Sequence, residues 1–142
     1  MSHTPAGRDY VLDVQVGFLM RKATQRHLAI FAAHIPDLTP TQFAALAKLC
    51  EKGPSSQNAL GRATAMDAAT IKGVVDRLRG KGLVTTAPDP GDSRRIFVEA
   101  SEAGRALFAS KIAAAHMVTE ATLAPLSPAE RASYLSLLER LG

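Results

Sequence analysis

The sequence predicts a mainly α fold (α+β class) that carries one small β-hairpin, and three features predict it. Aromatic residues make up 5% of the 142 residues and tryptophan is absent, which suits an alanine- and leucine-built helical core better than a β-sandwich. Helix start and stop signals recur along the chain. One stretch, Ile96 to Ala100, alternates with the two-residue period of a half-buried strand. The length and the 46% hydrophobic content fit one ordinary globular domain.

Residues 1–8 read as a loose tail. From Asp9 to about His34 the chain is dense in apolar residues, with Val11, Val14, Phe18, Leu19, Ile30 and Phe31. The early part is apolar nearly all round, so a helix there needs partners on more than one side. Thr39-Pro40-Thr41-Gln42 starts a second helix: Thr39 caps, Pro40 fits the first position and Gln42 completes a capping box. Gly53-Pro54 stops it, and Ser55-Ser56 caps a short helix through Asn58, Leu60 and Arg62. Asp67 caps a longer helix with Ile71, Val74, Val75 and Leu78 on one face, ending at Gly80-Lys81-Gly82. Leu83 to Ala87 is strand-like, Pro88-Asp89-Pro90-Gly91-Asp92 reads as a hairpin tip, and Ile96 to Ala100 is the return strand. Ser101-Glu102 opens an alanine-rich helix to about Leu123. Ser127-Pro128-Ala129-Glu130 is a further capping box, before a last helix whose apolar side is Leu135, Leu138 and Leu141. Short helix, turn, longer helix and two-stranded hairpin in succession make a winged helix-turn-helix. The expected division is a lobe of that kind over 39–100, with helical dimerisation regions over 9–38 and 101–142.

Composition narrows the function. The formal charge of +4 is mildly basic and fits nucleic-acid binding. The single cysteine, Cys50, rules out an internal disulfide and agrees with a reducing compartment. On an apolar helix face it reads as buried and inert rather than as a redox switch. His3, His27, His34 and His116 show no ligand spacing, so neither a metal nor a cofactor is expected. The N-terminal MSHTPAGRDY has no apolar core of a signal peptide, and the apolar stretch from Leu28 to Ile35 is too short for a bilayer. The expectation is a soluble cytoplasmic protein with no membrane partner.

A helix that reads DNA locks one face onto its neighbours and offers small polar side chains to the major groove. In the helix from Asp67 to Lys81 the exposed side carries Ala68, Ala69, Thr70, Lys72, Gly73 and Asp76. Small residues at its start allow close backbone approach, and Thr70 and Lys72 are candidates for base or phosphate contacts. At the hairpin tip, Asp92-Ser93-Arg94-Arg95 places arginines where a narrow minor groove enhances negative potential. Asp92 is suited to hold the Arg94 guanidinium by a bidentate pair. The bland readings are an ordinary surface helix and a solvated charged turn.

At these residues the chain resembles the MarR family of winged helix-turn-helix regulators. Leu38-Thr39-Pro40-Thr41-Gln42-Phe43 is similar to that family's LTPxQ helix opening, and Ser56-Gln57-Asn58-Ala59-Leu60 to its SQxxLA segment. Val75-Asp76-Arg77-Leu78 with Lys81-Gly82-Leu83-Val84 resembles its VDRLExKGLV ending. Asp92-Ser93-Arg94 matches its DxR wing, and Ser101-Glu102-Ala103-Gly104 its LTxxG continuation. The five pieces follow in one register between about residues 10 and 140. The resemblance implies Arg94 as the wing arginine with Asp92 as its orienter, and Arg77 as a backbone-facing or structural arginine. It implies Ser56, Gln57 and Asn58 as phosphate contacts, with Ser55 beside them. Ala68-Ala69 and Gly73 depart from the arginines many members carry there, which shifts base readout towards Thr70, Lys72 and the wing.

The terminal helices hold more apolar surface than a lobe over 39–100 would cover, and a second copy would bury it. The resemblance implies the same homodimer. Symmetry then calls for a pseudo-palindromic double-stranded DNA operator with half-sites roughly 34 Å apart. It also implies a repressor released by a small-molecule effector, with aromatic carboxylates a frequent class. In the first helix Phe18, Arg21, Gln25, His27 and Phe31, with Lys22 and Arg26, are candidates for such a ligand, since a carboxylate favours a basic group beside an aromatic wall. The alternative is a winged helix used for protein–protein assembly without specific DNA control. No nucleophile–base pair, phosphate-cradling loop or paired-acid site points to an enzyme.

Overall fold

The structure is a computed structural model that describes residues 9–142; the tail read over residues 1–8 lies outside them. Six helices run α1 (Val16–His34), α2 (Pro40–Lys52), α3 (Gln57–Ala63), α4 (Ala68–Gly80), α5 (Glu102–Leu123) and α6 (Pro128–Leu141). The strands are β1 (Ser55–Ser56), β2 (Val84–Asp89) and β3 (Asp92–Ala100), an antiparallel sheet in the order β1-β3-β2. The winged helix-turn-helix is present, with α3 and α4 as its helix pair and β2–β3 as its wing.

Side-chain caps expected from the sequence hold the starts of α2 to α6, and α1 has none. Thr39 accepts from the Gln42 amide while the Gln42 side chain accepts from the Thr39 amide, and Ser127 and Glu130 repeat that box. The side chains of Ser56, Asp67 and Ser101 cap α3, α4 and α5. Helix α4 ends in a Schellman motif. Gly82 adopts φ +73°, a conformation that favours glycine. The Leu83 amide reaches back to the Leu78 carbonyl and the Gly82 amide to that of Arg79.

Three expectations need correction. The first helix begins at Val16 and not near Asp9. Leu12–Val14 form a 3-10 turn, and extended Gln15 separates it from α1 while its side-chain amide donates back to the Val11 carbonyl at 3.0 Å. The sheet has three strands and not two: Ser55 and Ser56 pair with Val98 and Phe97. Ser56 therefore ends one strand and caps a helix, a double duty that composition conceals. The hairpin tip is also tighter than the run from Pro88 to Asp92. Pro88 pairs with Ile96 and Asp89 with Asp92, leaving Pro90-Gly91 as the turn. Proline is tolerated in β2 because β2 is an edge strand, where a missing N–H need not face a partner.

The buried core is continuous. Leu46, Ile71, Val75, Leu78 and Val98 fill the lobe, and Phe31 of α1, Ile35 just after that helix and Val118 of α5 join the same cluster. Phe43 bridges the elements, meeting Phe31 edge-on at 5.9 Å and Phe108 at 5.6 Å between ring centroids. Gly104 allows α5 to touch the turn after α4: a Cβ there would overlap the Leu83 carbonyl oxygen. The far end is different. Within α6 no residue is buried, and Leu135, Leu137, Leu138 and Leu141 lie exposed, as do Tyr10, Val11, Leu12, Val14, Val16 and Leu19 near the other end of the chain.

Candidate nucleic-acid interface and effector cleft

The wing is organised by one carboxylate. Asp92 accepts from Nε and Nη2 of Arg94 at 3.0 and 3.1 Å, and also from the Arg94 amide at 3.0 Å. Arg95 adds a longer contact of 3.4 Å. A planar fork gripped at both nitrogens has its direction fixed. The Asp92 side chain is only 20% exposed whereas that of Arg94 is 88% exposed, so the clamp presents a held guanidinium to solvent. Hydrogen bonding from Arg94 holds the Asp92 carboxyl below its ordinary pKa, and Asp92 in turn raises that of Arg94. Ser93 lies exposed between them.

The start of α4 is exposed over Ala68, Ala69 and Thr70, and the Thr70 amide donates to Asp67 at 2.7 Å. That bond lowers the Asp67 pKa, so the cap stays ionised at neutral pH. Lys72 is exposed but engaged, with its ammonium 2.9 Å from Asp76 one turn on. Hydrogen bonding from Lys72 lowers the Asp76 pKa. Gly73 leaves room for the Arg77 guanidinium, which a Cβ at residue 73 would approach to 3.2 Å. Arg77 itself is exposed. Asn58 of α3 and Ala68 of α4 line one crevice of about 310 Å³ together with Arg62, which the motif reading passed over. Ser55, Ser56 and Gln57 lie half-buried where β1 runs into α3.

The candidate effector residues do not gather. Successive helical residues turn by about 100°, which sets Phe18, Arg21 and Gln25 on the side of α1 opposite His27. Phe18 has the Lys22 ammonium 5.7 Å from its ring centre, and Phe31 is in the core. Arg26 is committed elsewhere, donating to the Ala121 and Thr122 carbonyls at the end of α5 at 2.8 and 2.7 Å. His27 alone of these lines a cleft of about 300 Å³ between α1, α5 and α6. Its walls are Met20, Leu123, Tyr134, Leu135 and Leu138, with Thr24, Thr119 and Thr122 supplying hydroxyls. His27 Nδ1 lies 2.9 Å from Thr122 Oγ1. Tyr134 was not foreseen; a lone tyrosine at the edge of a leucine stripe gives little signal in sequence.

Cys50 is half-buried against the core, and desolvation raises its thiol pKa. Among the described residues no group of three His, Cys, Asp or Glu side chains gathers to hold a metal, and no helix is long and apolar enough to cross a membrane.

The MarR family model matches residues 37–95. The chain is 46% identical over 134 residues to the HTH-type transcriptional repressor NicR of Pseudomonas putida, covering 93% of this chain and 85% of the relative. A probable transcriptional regulator from Pseudomonas aeruginosa superimposes with a TM-score of 0.90 at 53% identity, covering 93% of this chain and all of that one. BpsR of Bordetella bronchiseptica, whose DNA binding is regulated by 6-hydroxynicotinic acid, superimposes with a TM-score of 0.89 at 40% identity, covering 93% and 96%. With the capped helix pair, the wing and identity of this extent in agreement, the chain belongs to the MarR family of transcriptional regulators.

Proposed function

We propose that this regulator is a cytoplasmic homodimeric repressor that grips a pseudo-palindromic duplex operator and releases it when a small pyridine- or benzene-carboxylate binds. The observation that carries the DNA reading is the wing clamp: a carboxylate holds a guanidinium that is itself almost fully exposed. A stability device would bury that group, whereas a minor-groove probe needs it fixed and free. In this reading Arg94 enters the minor groove, oriented by Asp92 and flanked by Ser93 and Arg95. Thr70 and Lys72 meet the major groove, where Ala68, Ala69 and Gly73 permit close approach, and Lys72 exchanges Asp76 for a phosphate or base. Ser55, Ser56, Gln57, Asn58 and Arg77 touch the backbone.

The homodimer is supported by exposed apolar side chains at both ends of the chain, Val14 at 69% and Leu141 at 71% among them. Such a surface is costly in water and self-complementary burial removes it. Similarity to NicR and BpsR supports repression and a hydroxylated nicotinate as effector. The cleft at His27 fits that chemistry, with apolar walls for a flat ring, threonine hydroxyls and an imidazole for its polar edge. The test is to select duplexes from the organism's own DNA with the purified protein and titrate 6-hydroxynicotinic acid against the complex. Release, lost in His27→Ala with DNA affinity retained, is the expected result. Sequence-independent binding would overturn the operator reading, and specific binding insensitive to the acid would overturn the effector.

A further inference from the structure

The C-terminal end of α4, where the chain runs into β2, is tied to three other elements, and the tie is polar. Lys81 caps the C-terminus of α4, yet its ammonium reaches back some forty residues in sequence. It donates to the Asp37 carbonyl at 3.1 Å and to Gln42 Oε1 at 3.0 Å. Gln42, 5% exposed, is a polar residue buried at the start of α2, and its Oε1 already accepts from the Thr39 amide at 3.3 Å. The turn holding Asp37 is fixed by its buried neighbours Ile35 and Leu38. The Asp37 carboxylate points the other way, to Lys111 in the middle of α5 at 2.9 Å. Hydrogen bonding from Lys111 holds the Asp37 carboxyl below its usual pKa, so that carboxylate is ionised at neutral pH. One residue thus joins α4 through its carbonyl and α5 through its carboxylate, at the turn that links α1 to α2.

We infer that Lys81 is a positioning residue for DNA recognition: it sets the angle of α4 by pinning its C-terminal end to the α1–α2 turn and, through Asp37, to α5. The inference rests on the reading above that α4 enters the major groove. The Schellman turn at Gly82 and the contact of Gly104 with Leu83 fix where α4 ends. The buried face Ile71, Val74, Val75 and Leu78 seats α4 against the rest of the lobe. To that apolar seat the Lys81 ammonium adds a directional polar tie at the C-terminal end. A helix held at two points keeps one pose in the groove, and base readout depends on that pose. Contacts to phosphates tolerate small rotations.

The test compares the full chain as wild type, Lys81→Met and Asp37→Asn. Each is titrated at several salt concentrations against a duplex selected from a random pool by the wild type, and against random duplex. Lys81→Met should weaken the selected duplex about tenfold and the random one less than about threefold. The salt slope should stay that of the wild type, because no phosphate contact is lost. Asp37→Asn, which keeps the carbonyl and removes only the link to α5, should shift the ratio the same way by a smaller factor. Equal losses on both duplexes would overturn the positioning role, and so would a slope reduced by about one unit per monomer, which marks a direct phosphate contact. Amide hydrogen exchange without DNA tests the joint separately. Exchange from Arg77 to Leu83 should quicken in Lys81→Met while that of α3 stays unchanged, and unaltered exchange overturns the joint. Should the wild type select no duplex, the DNA reading falls and the exchange result still decides whether Lys81 pins the helix.

Discussion

Asp92 shows how a single side chain reverses the simple electrostatic expectation. Removing a negative charge from a DNA-facing surface ordinarily strengthens binding. Here the charge orients the Arg94 guanidinium through two hydrogen bonds. Asp92→Ala should therefore weaken binding to operator and random duplex alike, and tighter binding in salt titrations would refute the orienting role. Arg94→Ala should lower the salt slope by about one unit per monomer on both DNAs. The pH dependence follows from the direction of the shift. The Asp92 pKa is depressed, so the clamp is complete above the ordinary carboxylate value of about 3.9 and is lost as pH falls through the lower folded value. Titration of Asp92 should leave DNA affinity flat between about pH 8 and about pH 5, which a series of binding isotherms would check. This clamp was legible in the sequence because both partners are two residues apart. The joint at Lys81 was not, since its acceptors lie 44 and 39 residues away and one is a backbone carbonyl.

Helices were legible wherever a capping side chain and a stop signal bracketed an apolar stripe, as at Thr39, Asp67, Ser101 and Ser127. The start of α1 was not, because no side chain caps it and the apolar residues run straight through the 3-10 turn. Nor was β1, whose two serines carry no strand signal and pair only because β3 lies beside them. The effector face of α1 was misleading for a related reason. Phe18, Arg21 and Gln25 share the side of the helix opposite His27, and of the candidates only His27 turns towards the cleft. Two predictions belong to elements. Gly104→Ala should destabilise the fold by about 1–3 kcal/mol or more through overpacking, since the added methyl meets the rigid Leu83 backbone. Calorimetric melting of the variant measures this, and an unchanged melting temperature would show that α5 shifts freely. On the exposed face of α4, Thr70→Val and Lys72→Ala should each lose roughly 1–3 kcal/mol on the operator if base edges are read there, and less on random duplex. Equal losses on both would place base reading elsewhere.

At the scale of the molecule, α6 and the segment before α1 hold apolar side chains that nothing among the described residues of one chain covers. Truncation after Ala124 removes α6 and one wall of the His27 cleft. The truncated chain should sediment as a monomer, or aggregate, and lose tight operator binding, because two half-sites are no longer linked. A well-folded truncated monomer with full operator affinity would disprove the dimer. The shared core that runs from the lobe into Phe31, Ile35 and Val118 carries a different consequence: movement in the terminal helices cannot leave the lobe undisturbed, since close-packed interiors transmit displacement. The small strand β1 adds a constraint of another kind. Its serines are hydrogen-bonded into β3, and Ser56 is also the cap of α3. The wing and the first helix of the pair are thereby joined through one residue, and on the proposed reading the Arg94 tip and the start of α4 are the jaws of a caliper. On that reading such an instrument measures DNA as well as reading it. Inserting one base pair between the segment under the wing and the segment under α4 displaces one target by about 3.4 Å along the duplex and rotates it away, and a caliper with fixed jaws does not follow.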